Sequence, residues 1–179
     1  MTRRQPTLKP LVGELDHAQG DPNARITLVE YGDYECSHCG RAYPIVKRLQ
    51  RELDTDLRFV FRNFPLAELH PHAIAAARMA EAAARQAQFW PMHDRLFEHQ
   101  DRLSERDLIA HARHLGLDLV ALRESLAAAD VAERVQSDFM SGVRSGVNGT
   151  PTFFVNGERF DGDWGDGRAF AKALRDAGG

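Results

Sequence analysis

The only two cysteines of this 179-residue chain stand three positions apart, in Cys36-Ser37-His38-Cys39. Directly before them runs the apolar stretch Ile26-Thr27-Leu28-Val29, and directly after them comes a segment with the apolar spacing of an amphipathic helix. A Cys-x-x-Cys pair at a strand-to-helix junction is a redox signature, and the rest of the chain is organised around it.

Arg25 to Tyr31 is β-rich and mostly apolar, the pattern of a strand buried on both faces in a parallel sheet. Gly32-Asp33-Tyr34-Glu35 then delivers Cys36. From Cys36 to about Leu53, Ala42, Ile45, Val46, Leu49 and Leu53 follow helical spacing. Pro44 lies inside this helix and withholds a donor, which predicts a kink one turn past the cysteines. Leu57-Arg58-Phe59-Val60-Phe61-Arg62 reads as a second strand, completing a βαβ unit with parallel strands and a right-handed crossover. Residues 1–24 carry Pro6, Pro10, Gly13, Gly20 and Pro22 with little periodicity, and predict an arm or one short edge strand near Lys9 to Gly13.

Between His70 and Gly146 the composition turns to Ala, Arg, Glu and Leu with helix punctuation throughout, and about five helices are expected. In the first, Ile74, Ala77, Ala80 and Ala84 oppose a polar face of Arg78, Glu81, Arg85 and Gln88. Phe89, Met92, His93, Leu96 and Phe97 form the next apolar stripe. Ser104 with Asp107 starts a third helix that stops near Gly116, Asp118 caps a fourth, and Asp130 caps a fifth with Val131, Val135, Phe139 and Val143 inside. The chain returns to sheet in a hairpin, Thr152 to Val155 and Glu158 to Asp161, joined by an Asn156-Gly157 pair suited to a type I′ turn. Gly167 to Ala177 reads as a closing helix. The division expected is an N-terminal arm over 1–24, an α/β domain over 25–66 and 147–179, and a helical insertion over 67–146.

A composition of 43% hydrophobic and 27% charged residues is that of an ordinary globular protein, and a net charge of −3 gives no broad attraction for nucleic acid or anionic lipid. Lys9, Pro10, Glu14 and Asp16 break any apolar core of a secretory signal, and no apolar run approaches the roughly 20 residues of a membrane span. A cytoplasmic address is expected, or a periplasmic or extracytoplasmic one if a leader has been removed. With no separate dimerisation domain, a monomer is expected.

The order strand, Cys-x-x-Cys helix, strand, helical insertion, hairpin, helix is that of a thioredoxin fold with an inserted all-helical domain of about five helices. The chain resembles the DsbA-like thiol-disulfide oxidoreductases, on the strength of Val29-Glu30-Tyr31-Gly32-Asp33-Tyr34-Glu35-Cys36-Ser37-His38-Cys39-Gly40 and Gly146-Val147-Asn148-Gly149-Thr150-Pro151-Thr152-Phe153-Phe154-Val155-Asn156-Gly157. The resemblance covers about residues 20–175. It implies that Cys36 is the exposed nucleophile, Cys39 the buried resolving cysteine, Pro151 a cis-proline facing the disulfide, and Glu30 a buried carboxylate behind the cysteines that could relay a proton to or from Cys39. Thr150 would then offer its backbone to an extended substrate segment, with Ser37 also at the substrate-binding surface. Ser37 departs from the proline that the best-known members carry there.

The thiolate is the reacting form, and a free cysteine with a pKa of ~8.5 is mostly protonated at neutral pH. A position at the helix N-terminus favours the negative charge, and His38 is the intervening residue able to add to it. Asp33 and Glu35 push the other way. His70-Pro71-His72 has no carboxylate or cysteine nearby in sequence and, with the other scattered histidines, reads as structural or exposed. A zinc site would need four ligands, and one Cys-x-x-Cys supplies two, so no metal is expected. The expected activity is disulfide exchange with protein or low-molecular-weight thiol substrates, with a redox partner to recycle the pair and no cofactor beyond it. The alternatives are a redox-inactive binding module or chaperone on the same scaffold, a zinc-bound structural domain, and a glutathione-linked transferase or isomerase.

Overall fold

The structure is a computed structural model that describes residues 6–179; the first five residues of the expected N-terminal arm lie outside the described residues. The chain divides into two compact units, one made of the residues up to Gly32 with Arg41–Arg62 and Met140–Gly179, the other of Asp33–Gly40 and Asn63–Phe139.

The first unit holds a five-stranded sheet. Its strands are β1 (His17–Gln19), β2 (Ile26–Gly32), β3 (Leu57–Asn63), β4 (Thr152–Val155) and β5 (Glu158–Phe160), in the order β1-β3-β2-β4-β5. β2 and β3 are inner strands, which is why their sequences are apolar on both faces: Leu28, Val29, Tyr31, Val60 and Phe61 are completely buried. β4 runs antiparallel to β2 with Leu28 opposite Val155 and Tyr31 opposite Thr152, and β5 runs antiparallel to β4. Asn156 (φ 49°) and Gly157 (φ 85°) both take the left-handed conformation that a type I′ turn demands. Helix α1 (Ser37–Leu53), whose residues from Arg41 onward belong to this unit, carries Pro44 inside it and buries Val46 and Leu49. The closing helix, numbered α7 (Gly167–Ala177) in chain order, is capped by Asp166, whose carboxylate accepts from the N–H groups of Arg168 and Ala169, and it buries Phe170 and Leu174.

The edge strand is not where the pattern near Lys9–Gly13 suggests. It is β1, antiparallel to β3, with Ala18 opposite Val60. Pro10 has no N–H to offer a ladder, and the carbonyls of Pro10 and Leu11 are taken by Arg62, whose guanidinium donates to them at 3.0 and 3.3 Å. The same guanidinium holds Asp16 through two bonds of 2.8 and 2.9 Å and donates to the Tyr31 hydroxyl at 2.9 Å. Tyr31 in turn shares a 2.8 Å hydrogen bond with Ser141. The segment before β1 is thus held by a buried cation around Pro10–Asp16 and, ahead of it, by a short antiparallel bridge of Thr7 with Glu158, where the Leu8 N–H donates to the Gly157 carbonyl at 2.8 Å and the Arg159 N–H to the Pro6 carbonyl at 3.0 Å.

The second unit carries five helices, the last of which ends in the first: α2 (Ala73–Ala84), α3 (Phe89–Glu98), α4 (Glu105–His114), α5 (Leu119–Ala127) and α6 (Ala129–Arg144). Ser104 and Asp118 cap α4 and α5 as their sequence positions suggest. Two expectations are corrected. Glu81, placed on the polar face of α2, is buried, while Ile74 on the apolar face is 40% exposed. The alanines of α2 let neighbours close on most sides, and Glu81 finds the Asn63 side-chain amide at 2.7 Å. Asp130 is not a cap: α6 starts one residue earlier, at Ala129, and the Asp130 carboxylate is drawn to Arg85. Farther along α6, Val131 and Val135 are buried and Val143, expected inside, is 47% exposed.

Candidate active site

The loop before α1 is shaped by its own first residue. Asp33 accepts the Cys36 N–H on its backbone carbonyl at 3.1 Å and the Glu35 N–H on its Oδ1 at 2.8 Å, the local pattern by which aspartate folds a turn. The chain then enters α1 at Ser37, and Gly40 closes the first turn by donating to the Cys36 carbonyl at 3.0 Å. The first N–H groups of a helix have no partner within it, so Cys36 stands where negative charge is favoured. Gln100 braces this entry: its Nε2 donates to the carbonyls of Tyr34 at 2.8 Å and Cys36 at 2.9 Å. Residue 40 is glycine because a Cβ there would run into the Gln100 side-chain amide. The Tyr34 ring is buried 4.8 Å from that of Phe97, with its hydroxyl 3.1 Å from His93 Nδ1.

Both cysteines are free thiols. Cys36, implied by the resemblance to be exposed, is instead buried, keeping 5% of its surface against 0% for Cys39. The Asp33 N–H points at Cys39 Sγ from 3.5 Å, so one residue touches both ends of the pair, by its carbonyl and by its amide. Ser37 and His38 are exposed.

Asp33 and Glu35 do not face the cysteines as bare charges. The Asp33 side chain is fully buried, and its Oδ2 accepts from the Leu66 N–H at 2.9 Å and pairs with His70 Nδ1 at 2.7 Å. Glu35 accepts the His72 N–H at 2.6 Å and pairs with His72 Nδ1 at 3.0 Å, placing its carboxylate at the start of α2. Burial of His70 works against its protonation, but the hydrogen bond to Asp33 and the charges of Asp33, Cys36 and Glu35 outweigh it, so its pKa is raised above the ordinary histidine value. His70 and His72 have no carboxylate partner nearby in sequence, as expected, but each has one 37 residues away beside the cysteines, which places them at the site and not merely as structural or exposed residues. That shared offset was the available signal, since Asp33-x-Glu35 and His70-x-His72 have the same spacing. Two other histidines are structural: His93 under Tyr34, and His111, which accepts from Arg95 Nε at 3.0 Å and lies 2.9 Å from the Arg102 carbonyl through Nε2.

The remaining sequence candidates belong to the first unit. Glu30 is buried in β2, opposite Phe153 of β4. The Thr150-Pro151 peptide is cis, as the resemblance implies, and leads directly into β4, where Thr152 pairs with Tyr31. Glu30 and Pro151 therefore come to the same end of the β2–β4 pair. Among the described residues no group of three or more His, Cys, Asp and Glu side chains is placed to hold a metal ion.

A family model described as thioredoxin matches residues 13–172. Among solved structures, a thioredoxin-like oxidoreductase from Silicibacter pomeroyi is 29% identical, with a TM-score of 0.75 over 90% of this chain and 89% of that one. BdbD from Bacillus subtilis is 24% identical and shares the fold, with a TM-score of 0.80 over 98% of this chain and 96% of its own. Among curated proteins, the Na+/H+ antiporter NhaA 3 of Salinispora tropica is 46% identical over 155 residues, which are 87% of this chain but 24% of the antiporter. The chain thus spans about a quarter of the length of the curated relatives it matches.

Proposed function

The chain belongs to the thioredoxin family, and on that premise we propose that it is a thiol-disulfide oxidoreductase in which Cys36 is the nucleophile and Cys39 the resolving thiol. The observation that carries the reading is the setting of Cys36, at the mouth of α1, the less deeply buried residue of the pair, with both neighbouring carboxylates held by imidazoles. Kinship with an oxidoreductase at 29% identity supports it.

In the reducing direction the Cys36 thiolate attacks one sulfur of a substrate disulfide. The substrate S–S bond breaks, its other sulfur leaves as a thiolate, and a mixed disulfide joins Cys36 to the substrate. Cys39, having lost its proton, attacks the Cys36 sulfur; the mixed disulfide breaks and the second substrate thiolate leaves. The two thiolates take up two protons, the substrate has gained two electrons, and the Cys36–Cys39 pair is left as a disulfide for a redox partner to reduce. The same steps in reverse oxidise a substrate dithiol. Protein disulfides and low-molecular-weight disulfides both fit this chemistry.

The antiporter relatives contain a stretch like this chain in about a quarter of their length. We infer that this stretch serves disulfide exchange in them and that their ion transport resides elsewhere, since no helix of the described residues here is long and apolar enough to cross a membrane.

The test is insulin reduction with dithiothreitol, together with the pH dependence of Cys36 alkylation by iodoacetamide. Turnover that Cys36→Ser abolishes, with an alkylation midpoint below that of a free thiol, is expected. A midpoint at or above the free-thiol value with no turnover overturns the reading, and a binding or chaperone activity untouched by Cys36→Ser would replace it.

A further inference from the structure

We propose that His70, acting through Asp33, is a positioning residue that sets the charge facing the Cys36 sulfur. The proposal rests on the function inferred above and deepens it.

Asp33 contacts both cysteines, through its carbonyl to the Cys36 N–H and its amide to Cys39 Sγ. A buried, unneutralised carboxylate in that place would oppose a thiolate on either sulfur. Its side chain is fully buried, and the cation within reach is the His70 ring, at 2.7 Å. His70 keeps 23% of its side-chain surface, enough to exchange its proton with solvent. The groups that face it are Asp33, Glu35 and Cys36; His72, two residues on, is engaged by Glu35.

Protonated, His70 cancels the Asp33 charge and leaves the helix N-terminus to favour the thiolate. Deprotonated, it still holds Asp33 by a hydrogen bond but leaves a net negative charge beside the sulfur. The dithiol is therefore more readily ionised below the His70 titration than above it, and by reciprocity the Cys36 thiolate holds the His70 proton more tightly than the disulfide does. Burial lowers the His70 pKa, while the Asp33 hydrogen bond and the Asp33, Cys36 and Glu35 charges raise it by more.

Two experiments on the full chain test this. In the first, the His70 ring is titrated by NMR in the wild-type protein, once as the dithiol and once as the Cys36–Cys39 disulfide. A higher midpoint in the dithiol is expected, and identical midpoints overturn the proposal. In the second, alkylation of the reduced protein by iodoacetamide is followed from pH 5 to 9. His70→Gln keeps a donor for Asp33 but no charge, and at pH 6 its rate should fall by about tenfold, the effect of raising the thiol pKa by one unit. His70→Arg should restore the rate and remove the inflection due to the imidazole. An unaltered profile for His70→Gln overturns the proposal. Loss of insulin turnover with these profiles as expected counts against the oxidoreductase reading alone; unaltered profiles with turnover retained count against His70 alone.

Discussion

The side-chain amide of Gln100 donates to the carbonyl of Cys36 from 2.9 Å, across 64 residues of sequence, and with the same nitrogen reaches Tyr34 at 2.8 Å. A helix entry that carries a reactive sulfur is thereby braced by a side chain from just past α3, in addition to the local bonds of Asp33. Gln100→Ala removes both bonds and should cost about 1–2 kcal/mol. Gln100→Glu should cost more at pH 7, because a carboxylate would face two carbonyl oxygens. That excess should vanish as the pH falls and the new group protonates, since its folded-state pKa would be raised. Thermal unfolding of the three proteins at pH 4.5 and 7 decides it.

Arg62 and Asp16 form an ion pair in which the side chains keep 3% and 7% of their surface. Removing one partner strands the other, so Arg62→Met should lose about 3–5 kcal/mol, whereas Arg62→Met with Asp16→Leu should lose much less. Denaturant titration of the wild type, both single variants and the double variant gives the coupling. A double variant as unstable as the singles together would count against the pair as the tether of the segment before β1.

Asp138 has a pKa raised to about 6, first by burial and further by Glu81, against the opposing effects of Arg134 at 3.1 Å and of Asn63, whose N–H and Nδ2 donate to it at 3.0 and 3.1 Å. A carboxyl that holds its proton more tightly folded than unfolded stabilises the fold at low pH, and that contribution is lost as the pH rises from about 4 through about 6. The loss is at most about 3 kcal/mol, from a shift of roughly two units. Relative to wild type, Asp138→Asn should therefore gain stability as the pH rises across that window and run parallel to it above. Chemical unfolding at four values from pH 4 to 7.5 measures the difference.

Asn156 does more than turn the hairpin. Its Oδ1 accepts from the Thr27 N–H at 2.8 Å, and its Nδ2 donates to the carbonyls of Arg25 at 3.3 Å and Ala177 at 3.1 Å. Turn preference alone ranks Asp beside Asn at this position. The contacts predict otherwise: Asn156→Asp should lose about 1–2 kcal/mol and fall below Asn156→Gly, because its carboxylate would confront two carbonyl oxygens at the end of α7. Melting temperatures of the two variants provide the comparison.

What was legible in the sequence followed from periodicity and backbone chemistry. β2 and β3 stood out because both faces are apolar, the five helices because of their stripes and caps, and the hairpin because few pairs besides Asn-Gly accept two positive φ angles. The cysteine pair announced itself by scarcity. What stayed hidden has one physical cause, the buried polar pair. Arg62, Glu81, Asp138 and Asp33 each look like solvated charges in a linear pattern, and each is buried against a partner between 18 and 75 residues away. Such pairs leave no period, and β1, three half-buried residues long, leaves little more. The pairing of His70 and His72 is hidden for the same reason, since their carboxylates stand 37 residues earlier in the chain.

The eight residues Asp33–Gly40 cluster with Asn63–Phe139 and not with the sheet whose strand precedes them. For anyone exchanging parts between relatives, the transplantable piece is therefore discontinuous. A helical region moved without Asp33–Gly40 would leave behind the two thiols that His70, His72 and Gln100 serve, and an octapeptide moved alone would arrive without its acid-base escort. Inheritance of the chemistry requires moving two separate segments, with four cuts in the chain.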